Sequence, residues 1–223
     1  MPPVADSPAR RHRVDPARRA EIGRARKART RARILAAAFD LFGHEAGLFT
    51  TIDQVAAASG ITRTTFYNHF TGMEGLREAL TQEIAHDFLV AVTAALQTLP
   101  DPAERTAAAI RFYLARARTD GRWAWSMLNL SANGVIFGAE TRAQAEETVR
   151  EGMAGGRFDL ADSAIGRDLT LGGTLAALGT QAREGTGADF AEQVAARILI
   201  GLGIAKAAAD EIARRPLPAL DRT

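Results

Sequence analysis

The ten residues 61–70, "ITRTTFYNHF", carry the densest set of hydrogen-bonding and aromatic groups in this 223-residue chain. Arg63 can pair bidentately with the edge of a guanine, and Thr62, Thr64 and Thr65 offer hydroxyls and methyl groups to several bases. One helical turn later Tyr67, Asn68 and His69 present a phenol, an amide and an imidazole where a phosphate chain would run. Phe66 and Phe70 are spaced to turn together toward a core. In isolation the stretch also fits a capped helix with core aromatics, so its surroundings must decide.

Those surroundings are helical. Residues 50–60, "TTIDQVAAASG", open with Thr51 and Gln54 at capping-box spacing and close on Gly60, with Ile52, Val55 and Ala56 facing inward. Thr62 then caps a second short helix over residues 63–70. Upstream, from Arg29, the apolar positions Ile34, Leu35, Ala38, Leu41 and Phe42 form one stripe of an amphipathic helix. Two short helices joined by a tight turn behind a longer one describe a helix-turn-helix, whose second helix enters the major groove with its N-terminal residues at base edges. Thr50 and Thr51 are expected to add free backbone amides for phosphate at the start of the preceding helix.

Charge agrees with this placement. Residues 1–33 hold eleven Lys/Arg against three acids, a net +8, and the remaining residues balance to −6, so a basic arm precedes an acidic body. Such asymmetry points to a polyanion at one end. Residues 1–27, rich in proline and charge, predict a mobile arm, and Arg29 beyond it is positioned for phosphate contact. The chain has no cysteine, and its four histidines match no metal-ligand spacing, which excludes disulfides and thiolate sites. Neither an apolar span nor a secretory segment is legible, so the expected location is the cytoplasm, without membrane contact. No cofactor motif appears. "LGGTLAALG" matches a phosphate loop only in composition, and no nucleophile, base and orienting acid assemble into a catalytic set.

The segment "TTIDQVAAASGITRTTFYNHFTGMEGL" resembles the TetR family, the tetracycline-repressor-type bacterial transcription regulators. Thr50 and Thr51 match the family's paired threonines, and Val55 and Ala56 its Ile-Ala. Gly60, Ile61 and Thr62 match the turn, Thr65, Phe66, Tyr67, His69 and Phe70 its Thr-Leu-Tyr-x-His-Phe, and Glu74 and Leu76 its Glu-x-Leu. The likeness covers about 50 residues with correct spacing. Two positions depart: Thr64 replaces a glycine or alanine, and Met73 replaces a lysine that in relatives typically meets DNA phosphate.

The resemblance implies a ligand-responsive DNA-binding regulator, most simply a repressor released from a palindromic operator by a small molecule. The implied fold is all-α with about nine or ten helices. It comprises the arm (1–27), a helix-turn-helix domain (28–76) and a helical ligand-binding and dimerisation domain (77–223). The periodicity of the remaining sequence is helical throughout, with helices expected near 134–154, 162–183 and 189–202, the last opened by an Asp189/Glu192 capping box. In relatives the last two long helices pair across a homodimer. Here residues 162–183 carry small residues such as Gly166, Gly172, Gly173 and Gly179 that permit close approach, although an intrachain contact would use them equally. Phe112, Tyr113, Trp123, Trp125, Met127 and Phe137 are the expected pocket lining, and each taken singly also fits plain core. Asn129 and Asn133 either orient a ligand or cap helices. Two further readings remain: an activator or ligand-independent regulator of the same fold, and an all-α enzyme acting on hydrophobic substrates.

Overall fold

The computed structural model describes residues 16–134 and 136–220, which form ten α-helices and no strand. The first helix, α1, spans Pro16–Phe42, and only its second half packs: Ile34, Leu35, Ala38 and Phe42 are buried, whereas residues 17–29 are exposed. The helix therefore starts well before Arg29, and residues 16–27, expected as a mobile arm, belong to it. Their Ala, Arg, Glu and Lys have high helix propensity, and they extend a helix already nucleated by its packed end. No apolar stripe marks them, which is why the pattern reads as unstructured. The part of the expected arm before Pro16 lies outside the described residues.

A 3₁₀ turn, Glu45–Phe49, leads to α2 (Ile52–Ala58) and α3 (Arg63–Tyr67). The capping box is formed: Thr51 N–H donates to Gln54 Oε1 at 2.8 Å, and Gln54 N–H to Thr51 Oγ1 at 3.3 Å. Gly60, at φ 61°, makes the left-handed turn between the two helices. Thr62 Oγ1 then accepts the Thr65 N–H at 3.1 Å and starts α3. Phe66 and Phe70 are buried with Ile34, Phe42, Val55 and Leu76, so the two rings hold a five-residue helix onto its domain. Full burial of one such ring contributes roughly 1.5–3 kcal/mol.

The next helix, α4 (Met73–Leu96), runs from this head into the body, about 36 Å at 1.5 Å per residue. It is followed by α5 (Pro102–Thr119), α6 (Gly121–Leu130), α7 (Ala139–Ala154), α8 (Ser163–Glu184), α9 (Phe190–Gly201) and α10 (Lys206–Ile212). Asp101, Asp120 and Asp162 cap α5, α6 and α8 by accepting the N–H groups of Ala103, Trp123 and Ala164 at 2.8–3.0 Å. Two boundaries differ from expectation. The helix predicted from Gly134 begins at Ala139, because Gly134, Phe137 and Gly138 all have φ between 58° and 90°. The predicted Asp189/Glu192 box is absent: the Asp189 carboxylate does not cap α9 and instead accepts from the Gln193 side-chain amide at 2.6 Å.

The glycines of α8 divide by neighbour. A Cβ on Gly166 would meet Leu160, Val149 and Leu202, and one on Gly173 would meet Ile198, so both serve contacts within the chain, whereas Gly172 faces open space. The tightest fit lies on α7, where a Cβ on Gly152 would overlap the buried Phe158 ring. Gly152→Ala is expected to displace that ring and destabilise the fold by about 1–3 kcal/mol, read as a lower denaturation midpoint at unchanged helical content.

Candidate nucleic-acid interface and inner cavity

The outward face of α3 is polar and organised. Arg63 is exposed, and its guanidinium lies 2.9–3.0 Å from both carboxylate oxygens of Asp53 on α2, 3.5 Å from the Tyr67 hydroxyl and 5.8 Å from the centre of the Tyr67 ring. The Tyr67 and Asp53 contacts raise the Arg63 pKa, so its charge is permanent. Thr62 and Thr65 share a hydroxyl hydrogen bond of 2.9 Å, and Thr64 and Asn68 are exposed beside them. Across an open groove of about 730 Å³ stand Arg26, Lys27, Thr30 and Arg33 of α1, so the recognition face is walled by positive charge. His69 is half-buried, and desolvation together with Lys27 and Arg31 lowers its pKa, leaving it neutral near pH 7.

Several expected residues sit differently. The Thr50 and Thr51 amides are not free, since Thr50 N–H donates to the Gly47 carbonyl at 3.1 Å and Thr51 N–H closes the capping box. Both amides therefore serve the turn and the helix start, and the Thr51 hydroxyl caps α2. Met73, where the resemblance has lysine, is partly buried against the core and offers no charge. Arg29 is exposed on α1. Asp53 was not legible as a partner of Arg63, because ten positions separate them and only the turn at Gly60 brings them together.

Two polar side chains, together with the ion pairs Arg122–Asp40 and Arg183–Glu45, fasten the head to the body. Asn129 of α6, buried, donates through Nδ2 to the carbonyls of Phe42 and His44, both at 2.8 Å, and so caps the end of α1. Arg77 of α4 donates to the carbonyls of Asn129 at 2.6 Å and Leu48 at 3.2 Å, with its guanidinium 4.6 Å above the Phe42 ring. Asn129 is thus a helix cap. The Asn133 side chain lies outside the described residues.

In the body, a cavity of about 430 Å³ opens between the first half of α4 and the start of α7, with Glu74, Glu78, His86 and Glu140 around it. A narrower apolar lobe of about 60 Å³ shares Leu89, Phe137 and Thr141 with it and continues inward past Tyr113. The Tyr113 hydroxyl pairs with Thr141 Oγ1 at 3.2 Å, and burial pushes its pKa up to about 12, so it stays a neutral phenol. Of the six expected lining residues, the structure brings only Tyr113 and Phe137 to this cavity, their rings 4.8 Å apart. Trp123 and Met127 are fully buried in the main core. Phe112 packs in a separate cluster with Val92 and Leu96, and Trp125 is half-buried with the Arg183 guanidinium 5.2 Å over its ring. All four lie on the same helices as the cavity wall but on other faces, a distinction that composition cannot make.

Two family models match the chain, "Bacterial regulatory proteins, tetR family" over residues 34–80 and "Tetracyclin repressor-like, C-terminal domain" over residues 101–215. The chain belongs to the tetR family. It is a DNA-binding transcription regulator and not an enzyme. No curated protein matches it. Among solved structures, RolR in complex with resorcinol is 26% identical with a TM-score of 0.68, covering 88% of this chain and 99% of its own. RolR without ligand is 26% identical with a TM-score of 0.69, covering 85% and 100%. FadR from Bacillus subtilis in complex with stearoyl-CoA, at 17% identity and a TM-score of 0.58 over 77% of this chain and 96% of its own, shares the fold. No helix among the described residues is long and apolar enough to cross a membrane.

The fastening of head to body gives a direct test. Asn129→Ala removes the side-chain donor to the Phe42 carbonyl and leaves the His44 carbonyl only the Gly47 N–H, and is expected to lower stability by about 1–3 kcal/mol in chemical denaturation.

Proposed function

We propose that this chain is a homodimeric repressor that leaves a palindromic operator when a small molecule enters the cavity bordered by Tyr113 and Phe137. The observation that carries the DNA half is the recognition face of α3: a buried pair of rings beneath, Arg63, Thr64 and Tyr67 exposed above, and Thr65 and Asn68 lining a groove opposite the basic side chains of α1. Residues 28–76 form the DNA-binding head and residues 77–223 the body. Arg63 reads a guanine edge, held ready by Asp53. Thr64 and Thr65 meet bases, Tyr67, Asn68 and His69 meet phosphate, and Arg29 with the exposed arginines of α1 supplies the charge that Met73 does not. Support for a small effector comes from RolR, which binds resorcinol and is 26% identical over nearly its whole length.

Dimerisation rests on α8 and α9. Ile165 and Leu169 are exposed at 55% and 38%, and with Gly172 and Ala176 they repeat at helical spacing along one face of α8. That face, with Phe190 and Val194 of α9, supplies an apolar surface for a second copy. The regulator acts in the cytoplasm, where its operator is.

Gel-shift titration against DNA upstream of the chain's own gene tests this reading. Saturable binding to a palindromic site is expected, and binding no tighter than to random DNA would sink it. Arg63→Ala should cost about 1–3 kcal/mol on the cognate site and relax base preference, whereas Tyr67→Phe should weaken binding to all sequences alike.

The His69 assignment makes a separate prediction. In the free protein desolvation, Lys27 and Arg31 lower its pKa, while a bound phosphate would raise it, so the complex takes up a proton. Affinity should therefore rise as pH falls from about 8 to about 6. His69→Gln should flatten the slope, and an unchanged slope would remove His69 from the phosphate contacts.

A further inference from the structure

The cavity has two chemically distinct ends. Its opening carries Glu74 and Glu78 from α4 and Glu140 from α7, and no lysine or arginine lines it. The only other titratable group there, His86, points Nδ1 at Glu140 Oε2, 3.3 Å away. The three carboxylates therefore outnumber any charge that can answer them from within the site.

The inner lobe is lined mainly by apolar side chains and hydroxyls, with the Gln144 side chain and Arg105 among them, and most of its buried hydroxyls are bonded, Thr106 to the Pro102 carbonyl at 2.9 Å. Tyr113 and Thr141 bond each other, Thr148 donates to the Gln144 carbonyl, and Thr174 donates to the Thr170 carbonyl. Arg105, at the edge of this lobe, is held by Glu151 and by the carbonyls of Leu99 and Pro100. The Thr170 hydroxyl, on a residue only 8% exposed, has no partner. A buried polar group without a hydrogen bond is uncommon in a folded protein, and its position in a cavity wall marks a place for a ligand's polar atom.

Resting on the reading that this cavity takes the effector, we propose that the effector is a phenolic amine. Its ammonium lies among Glu74, Glu78 and Glu140, its ring passes Tyr113 and Phe137, and its hydroxyl meets Thr170. The aromatic pair supplies edges and faces for the ring. A ligand ending in carboxylate or phosphate would bring like charge against three glutamates, so anionic effectors are disfavoured.

Isothermal titration calorimetry on the full chain, with three probes that share the 4-hydroxyphenyl ring, tests this. Tyramine carries a positive charge, 4-hydroxyphenylethanol none, and 4-hydroxyphenylacetate a negative one. Affinity should fall in that order, with tyramine about tenfold or more tighter than the acid. Glu74→Gln combined with Glu78→Gln should shrink the gap between amine and acid. The nearly isosteric Thr170→Val should weaken tyramine while leaving phenethylamine, which lacks the ring hydroxyl, unchanged, and that contrast separates a lost contact from a misfolded protein. Heat from none of the probes, equal binding of amine and acid, or a gap indifferent to the double substitution would each overturn the proposal. If tyramine binds as described but does not release operator DNA in a gel shift, the cavity's charge preference stands and its role as the effector site fails.

Discussion

The orientation of the DNA-reading face depends on the polar clamp at the end of α1. A helix terminus leaves its last carbonyls without intrahelical donors, and a terminus buried against another domain must find them elsewhere. Here the donors come from the body: the Asn129 amide for Phe42 and His44, and the Arg77 guanidinium for Leu48, with Arg77 also binding the Asn129 carbonyl. Close packing fixes the same place sterically. A Cβ on Gly47 would sit 2.7 Å from Asn129 Nδ2 and 2.8 Å from the Leu41 carbonyl, so the 3₁₀ turn lies against α6 with no room for a side chain. Burial lowers the Arg77 pKa. Because hydrogen bonds are directional, this clamp fixes an angle as well as a contact.

Local rules explain what was legible in the sequence. The caps at Thr51 and Thr62 follow from side chains within three residues of the amides they accept, so spacing locates them, although the same spacing at Asp189 and Glu192 forms no cap. The burial of Phe66 and Phe70 beneath an exposed Arg63 and Tyr67 follows from helical periodicity. Long-range choices were not legible. The partnership of Asp53 with Arg63 depends on the turn between α2 and α3. The role of Asn129 spans more than eighty positions, and an amide in an apolar helix looks the same whether it caps a neighbour or meets a ligand.

The aromatic residues of the body show the same limit from the other side. Five aromatic residues and a methionine look interchangeable as cavity lining, but helix rotation sends Trp123 and Met127 to the core centre and Phe112 to a separate cluster. Phe137 reaches the cavity through an unusual backbone: it holds φ 58° between two left-handed glycines, with its N–H bonded to Ser131 Oγ at 3.1 Å. A bulky residue in that region is strained, and the strain is sustained by a buried ring packed on Tyr113. Residues 136–137, read in sequence as part of a long helix, are therefore a turn that delivers one ring to the cavity wall.

The geometry also constrains how occupancy of the cavity reaches DNA. Glu74, Arg77 and Glu78 occupy the first turns of α4 at i, i+3 and i+4, so the cavity mouth and the clamp on α1 are carried by adjacent faces of one short stretch of helix. Met73, at its first position, is partly buried against the main core. A ligand shifts this arrangement only by the difference between its affinities for two positions of α4, and by linkage operator DNA must shift the ligand's affinity by the same factor. On the proposed reading, a charged group bound between Glu74 and Glu78 would act within one helical turn of Arg77, whose hydrogen bonds to Leu48 and Asn129 change if the helix moves to accommodate it. The element that reads the effector and the element that aims the recognition helix would then be the same turn of α4, with no longer relay through the body required.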